Sequence, residues 1–230
     1  GQGGVYNLVN LQLYHYAGNN PVKYIDPDGR ITLRALVAKV MSGSSFYRNI
    51  TSRYWDGSKY VYYEIGLYNI DSTTLTYIKG ISKWACTHGA ISFRNMWKSP
   101  AITPMHKASD LRDSSYIKYY RDAEGNIIND PKALYAKLKV GDVLIYEPDI
   151  THKVHEGEML SPTADPGFSG HTATIIDKGS DARGDYVITL EFHLQDSNPA
   201  TWNEASVQKI YSDTLRNWSD CKLVGGAEWK

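Results

Sequence analysis

The spacing of apolar and polar positions changes character along this chain. From Ile31 to Met41, "ITLRALVAKVM" repeats apolar residues at helical spacing, and the following "SGSS" reads as the turn that ends a helix. "KYVYYEIGLYNI" is β-rich in composition, with Gly66 as a weak point. "DSTTLTYIKG" opens on capping residues and stops at a glycine, which predicts a short helix. "ACTHGAISFRNMW" begins with small residues and continues with apolar spacing, which predicts another. The stretch from Lys98 to Asp130 is loop-rich with a turn at "DAEGN", and "DPKALYAKL" predicts one more helix with proline in its first turn.

The second half turns to strands. "GDVLIYE", "HTATIID" and "DYVITLEFHL" carry β-branched and aromatic residues between turn formers, with "KGSDARG" as the loop between the last two. The tail from Ser206 to Glu228 fits strand or helix equally. Helices first and strands afterwards predict an α+β fold rather than a wound parallel sheet.

The opening has a different texture. "NLVNLQLYHYAGNNPVKYIDPDGR" is rich in Tyr, Asn, Pro and Gly, and its two turn clusters flank the short strand "VKYI". It reads as a small hairpin-like appendage over residues 1–29, ahead of a main domain over 30–230.

Composition narrows the function classes. At 230 residues, 42% hydrophobic and 22% charged, the chain is long enough and apolar enough for a full core. Lys+Arg and Asp+Glu are both 25, so no overall field favours nucleic acid or an anionic membrane. No Walker-type or dinucleotide-binding glycine pattern occurs, and no apolar run approaches the ~20 residues that span a bilayer. No basic region followed by an apolar one opens the chain, so an export signal is expected outside these residues, as in a piece of a longer protein. The 18 tyrosines suit half-buried strand faces.

Cys86 and Cys221 are the only cysteines, too few for a disulfide framework or a multi-cysteine zinc site, though a single bridge between them stays open. A lone cysteine is ordinarily a small buried apolar residue. Cys86, however, stands at a predicted helix start, where backbone N–H groups and the positive dipole end lower a thiol pKa and can hold an oxyanion. A thiol nucleophile needs a base, and the base needs an orienting group. His171 opens the strand "HTATIID" and can present its ring at a sheet edge. On the next strand, alternation puts Glu191, His193 and Gln195 on one face, within reach of His171 if the two strands pair antiparallel.

Two resemblances follow from these motifs. Tyr14, Tyr16, Asn19, Asn20, Pro21, Tyr24, Asp26, Pro27 and Gly29 match the signature that closes the β-cage of Rhs/YD-repeat core proteins, about a tenth of the chain. Arg30 departs from that signature, which usually has Leu there beside a self-cleavage point. In that family a variable C-terminal payload follows, often a toxin. The resemblance implies a secreted or cell-surface parent protein, delivery into a target cell, and the Rhs core and an immunity protein as partners.

From Cys86 to about Gln195, "ACTHGAISF", "LKVGDVLIYE" and "GHTATIIDK…YVITLEFH" resemble the NlpC and CHAP families of papain-like cysteine hydrolases. The resemblance implies a papain-like fold with Cys86 as nucleophile, His171 as base and Glu191 as orienting acid. His193 falls where CHAP proteins often have Asn and is the other candidate for that third place. It implies peptidoglycan as the first candidate substrate, a protein substrate as the second, and no cofactor. Pro148 to Ser169 forms a longer link than these families usually have, and reads as a lid or specificity loop. Within it, His152, His155 and Glu156 are an alternative metal-ligand set, with His171 or His193 completing it. A non-catalytic binding module with Cys86 as core filler is the remaining reading. His88 is expected to line the helix or cleft, and His15 and His106 to lie at the surface.

Overall fold

The computed structural model describes residues 31–42, 44–55, 59–70, 86–105, 107–148, 170–194, 202–215, 217–218 and 221–230. The proposed appendage over residues 1–29, the helix expected in "DSTTLTYIKG", and the loop with His152, His155 and Glu156 lie outside the described residues, as do His15 and His106.

Helix α1 (Leu33–Ser42) forms where the spacing predicts it. Thr32 caps its start, its hydroxyl accepting the Ala35 N–H at 3.2 Å. Leu36 and Val40, four apart and therefore on one face, are both 0% exposed. The expected "SGSS" turn is a correction: Ser44 already opens a strand, β1 (Ser44–Trp55), which pairs along its length with β2 (Tyr60–Ile70). β1 was not legible in the sequence, because "SFYRNITSRYW" lacks a clean two-residue alternation.

Helix α2 (Cys86–Trp97) follows, then the short α3 (Ala108–Arg112) and β3 (Ile117–Tyr119) inside the stretch expected to be loop. In "DAEGN" the turn forms, with Gly125 at φ +88°. Helix α4 (Pro131–Lys137) starts at Asp130, whose carboxylate accepts the Ala133 N–H at 2.9 Å. Strands β4 (Val143–Pro148), β5 (His171–Asp181), β6 (Gly184–Leu194), β7 (Trp202–Tyr211), β8 (Asn217–Trp218) and β9 (Cys221–Trp229) follow, with a 3-10 turn at Ser212–Thr214 between β7 and β8. Most of the predicted loop "KGSDARG" is strand, since β5 runs to Asp181 and β6 resumes at Gly184. Of the ambiguous tail, the described residues are strand in β7, β8 and β9, with the 3-10 turn at Ser212–Thr214 between them.

Every described pairing is antiparallel, in the order β1-β2-β7-β6-β5-β4-β9-β3, with β8 on β9. The sheet curls far enough for β1 to approach β8. The α+β class therefore stands, although β1 and β2 precede α2 and the two element types are not segregated along the chain.

Side-chain alternation divides the core into two faces. On one, α1 and α2 bring Leu36, Val40 and Phe93 against Ile176, Ile188, Leu190, Phe192 and Val207. That face continues under α3, where Ile91 and Leu111 meet Val143 and Ile145. On the other, α4 lays Leu134 over Leu144, Ala173, Ile175, Val187 and Ile210. Helix α2 lies very close to β6: a Cβ on Gly89 would stand 2.3 Å from the Phe192 ring. Only glycine permits that approach.

Candidate active site

Strand β5 enters the sheet through Gly170, at φ +111°, where a Cβ would lie 2.1 Å from the Tyr146 carbonyl oxygen. His171 follows, paired with Tyr146 across the β4–β5 ladder. Its ring lies 6.2 Å from the Tyr146 ring, centroid to centroid. Two residues on, Ala173 belongs to the α4 face, so His171 leaves the sheet on that side.

Between β5 and β6 the ladder ends at Thr174↔Leu190. Beyond this point β5 keeps only β4 and β6 keeps only β7, so the two strands part. The start of α2 meets β5 at that gap. Ile175 spends its N–H and C=O on the turn before β4, bonding Asp142 and Gly141 at 2.8 Å each. Alternation therefore turns the Thr172 N–H toward the gap, where it donates to the Cys86 sulfur. The adjoining Thr87 and Thr172 hydroxyls, both buried, bond at 3.0 Å and fix the first turn of α2 to the strand.

Cys86 is half-buried and reduced, as is the buried Cys221, so neither belongs to a disulfide. Its thiol is hydrogen-bonded to His171. His171 Nε2 is committed elsewhere, 2.6 Å from Glu191 Oε2, which leaves Nδ1 for the thiol. Glu191 is 0% exposed, and its second oxygen accepts the Thr189 hydroxyl at 2.6 Å. A buried carboxylate is costly unless paired and hydrogen-bonded, and here both oxygens have partners.

The charges follow from this chain. Burial pushes the Cys86 thiol up, but the His171 charge and hydrogen bond, with the Thr87 hydroxyl and the Thr172 N–H, outweigh it. The thiol ends below its ordinary value. Burial pulls His171 down, while the Cys86 thiolate and the Glu191 carboxylate more than reverse this and raise it. The resting state these shifts favour is a thiolate–imidazolium pair backed by a carboxylate, with the thiolate at a helix start.

The structure thus brings three of the four sequence candidates, Cys86, His171 and Glu191, into one hydrogen-bonded chain. His193 occupies the β6 backbone position opposite Glu204, and its side chain lies outside the described residues. His88 lies on α2, half-buried, two residues past Cys86. Sequence reasoning missed the buried polar supports Thr87, Thr172 and Thr189, and Gln208 opposite Thr189 on β7. Thr189 had a signal: counting back two from Glu191 puts it on the same strand face.

Among the described residues no cluster of three or more His, Cys, Asp or Glu side chains is arranged to hold a metal. No described helix is long and apolar enough to cross a membrane. No family model, curated protein or solved structure matches this chain.

Proposed function

We propose that this protein is a cysteine-dependent amide hydrolase on a papain-like, NlpC/CHAP-type fold, carried as the C-terminal payload of an exported Rhs-type protein. One observation carries the reading. A half-buried thiol at a helix start is hydrogen-bonded to a histidine whose other ring nitrogen is held by a fully buried carboxylate.

In this reading the Cys86 thiolate attacks the carbonyl carbon, and the charge passes to the carbonyl oxygen at the positive end of α2, beside its first-turn backbone N–H groups. Imidazolium His171 gives its proton to the departing amine as the C–N bond breaks, leaving a thioester on Cys86. Neutral His171 then takes a proton from water as that water attacks the thioester, and breaking the C–S bond releases the free acid and restores the Cys86 thiolate beside imidazolium His171. Glu191 orients the ring and balances its charge throughout. A binding module that kept Cys86 as core filler would bury the thiol away from His171, which the observed hydrogen bond argues against.

The resemblance to wall-cleaving relatives makes peptidoglycan the first substrate to test. Intact sacculi incubated with the protein should release muropeptides that Cys86→Ala, shown to be folded, does not. If chemically diverse sacculi give no Cys86-dependent product, the wall substrate is wrong and a protein substrate inside a target cell takes its place. Toxicity on intracellular expression that needs both Cys86 and His171 would then support a protease or deamidase.

A further inference from the structure

The face of the sheet that carries His171 is apolar at Leu144, Ala173, Ile175, Val187 and Ile210, yet a polar row interrupts it. Gln208 on β7 is 3% exposed, Thr189 and Glu191 on β6 are both 0% exposed, and His171 on β5 is 5% exposed. Gln208 stands opposite Thr189 in the β6–β7 register. Thr189 and Glu191 share a face by alternation and bond at 2.6 Å. Valine would fill the same volume and suit an apolar layer better, so a fully buried hydroxyl here calls for a role.

The chemistry of the carboxylate supplies one. The glutamate carboxylate turns about three side-chain torsions, and one oxygen must stay on His171 Nε2 for the ring to keep its other nitrogen on Cys86. Where β5 and β6 have parted, the ladder no longer fixes the distance between them. Thr189 still lies within the paired region, opposite Ile175, so its hydroxyl holds the second carboxylate oxygen from a fixed point. Its β-branched side chain is stiff at χ1, which aims the hydroxyl.

We infer that Thr189 is the positioning residue of this site, holding Glu191 so that His171 stays aligned on Cys86. This rests on the cysteine-hydrolase reading and deepens it by one residue. Thr189 touches neither substrate nor thiol and acts through Glu191 alone.

The test is the pH dependence of Cys86 alkylation by iodoacetamide in the intact chain, with Cys221→Ser as background. Thr189→Val removes the hydroxyl at constant shape. The acid limb of its profile should move up by about one pH unit, about tenfold less thiolate at a fixed pH below the midpoint. Thr189→Ser, which restores the hydroxyl, should bring the limb most of the way back. A merely structural role would change melting without moving the limb. A folded Thr189→Val protein with the parent profile overturns the inference, and so does an equal shift in Val and Ser.

Should Thr189→Val not fold, Thr189→Ala makes the same comparison. If both fail to fold while Ser folds, the hydroxyl is needed for stability rather than alignment, and the inference also falls. Failure of the underlying reading looks different: the parent protein itself would then show no depressed limb and no loss of it in His171→Ala.

Discussion

His171 and Glu191 are joined at 2.6 Å across two strands whose ladder has already ended, so a side-chain bond spans β5 and β6 where the backbone no longer does. The parting that breaks the ladder is also what admits the start of α2, and with it Cys86, to the Thr172 N–H. Removing the charge while keeping the shape should therefore uncouple the site. Glu191→Gln is expected to fold and to lower any Cys86-dependent turnover by roughly 10²–10⁴-fold. Melting and turnover measured on the same preparation separate this from simple loss of fold.

The two cysteines should differ sharply toward alkylating agents. Cys86 is half-buried with its thiol held below the ordinary value, whereas Cys221 is 1% exposed within the apolar layer under α4. Mass spectrometry of the native protein after brief labelling should find the adduct on Cys86, with a pH midpoint below about 8.5. Cys221 should react only once denaturant is added. Equal, slow labelling of both would remove the nucleophile.

Much of this arrangement was legible beforehand, for identifiable reasons. Cys86 and His171 could be found because each sits at the boundary of an element with a clear local signal, small residues before apolar spacing and Gly170 before a β-branched run. Glu191 followed from alternation once β5 and β6 were paired. The choice between Glu191 and His193 was not legible, because alternation alone offers both residues, and the place where the β5–β6 ladder ends, just before Glu191, is not announced by the sequence. β1 and the tail strands β7 and β9 were missed or left open because their neighbours β2, β6 and β4 supply the pairing that their own sequences do not announce.

Close packing of α2 on β6 predicts a sensitive glycine remote from the chemistry. In Gly89→Ala the new methyl meets the Phe192 ring at 2.3 Å, so either the ring or the helix must shift. The expected cost is about 1–3 kcal/mol, read as a lowered denaturant midpoint. Because Cys86 is carried on the same helix, its alkylation should also slow. Gly89→Ala with Phe192→Leu should recover part of both.

The start of the main domain can be tested by trimming. Ile31 and Leu33 pack against the core that contains Leu36 and Val40, so the chain needs α1. A protein beginning at Arg30 should fold and keep the Cys86 alkylation profile. One beginning at Ser44 should lose the cooperative unfolding transition, and Leu36→Ala alone should cost about 2–5 kcal/mol. If removal of residues 1–29 unfolds the protein, that segment belongs to the domain and the boundary is wrong.

The paired shifts of Cys86 and His171 give stability a specific dependence on pH. His171 is raised on folding, so its contribution is full below about 6.5 and is lost as pH rises through its folded value. Cys86 is lowered, so its contribution is full above about 8.5 and is lost as pH falls through its folded value. As an ion pair the folded site holds one proton, on His171, and between about 6.5 and 8.5 the unfolded chain also holds one, on the thiol. Proton counts match, and this pair adds no slope to stability there. Below about 6.5 the unfolded histidine takes up a second proton that the folded pair refuses, so the pair's contribution should fall with pH. Cys86→Ala removes the thiolate that does most to raise His171, so the His171 imidazole should titrate at least about one unit lower by NMR. The slope below 6.5 should change in the same variant, measured by urea unfolding against the parent at matched pH. An unmoved His171 titration in Cys86→Ala would mean that Glu191 alone holds the proton, and that the thiol rests uncharged.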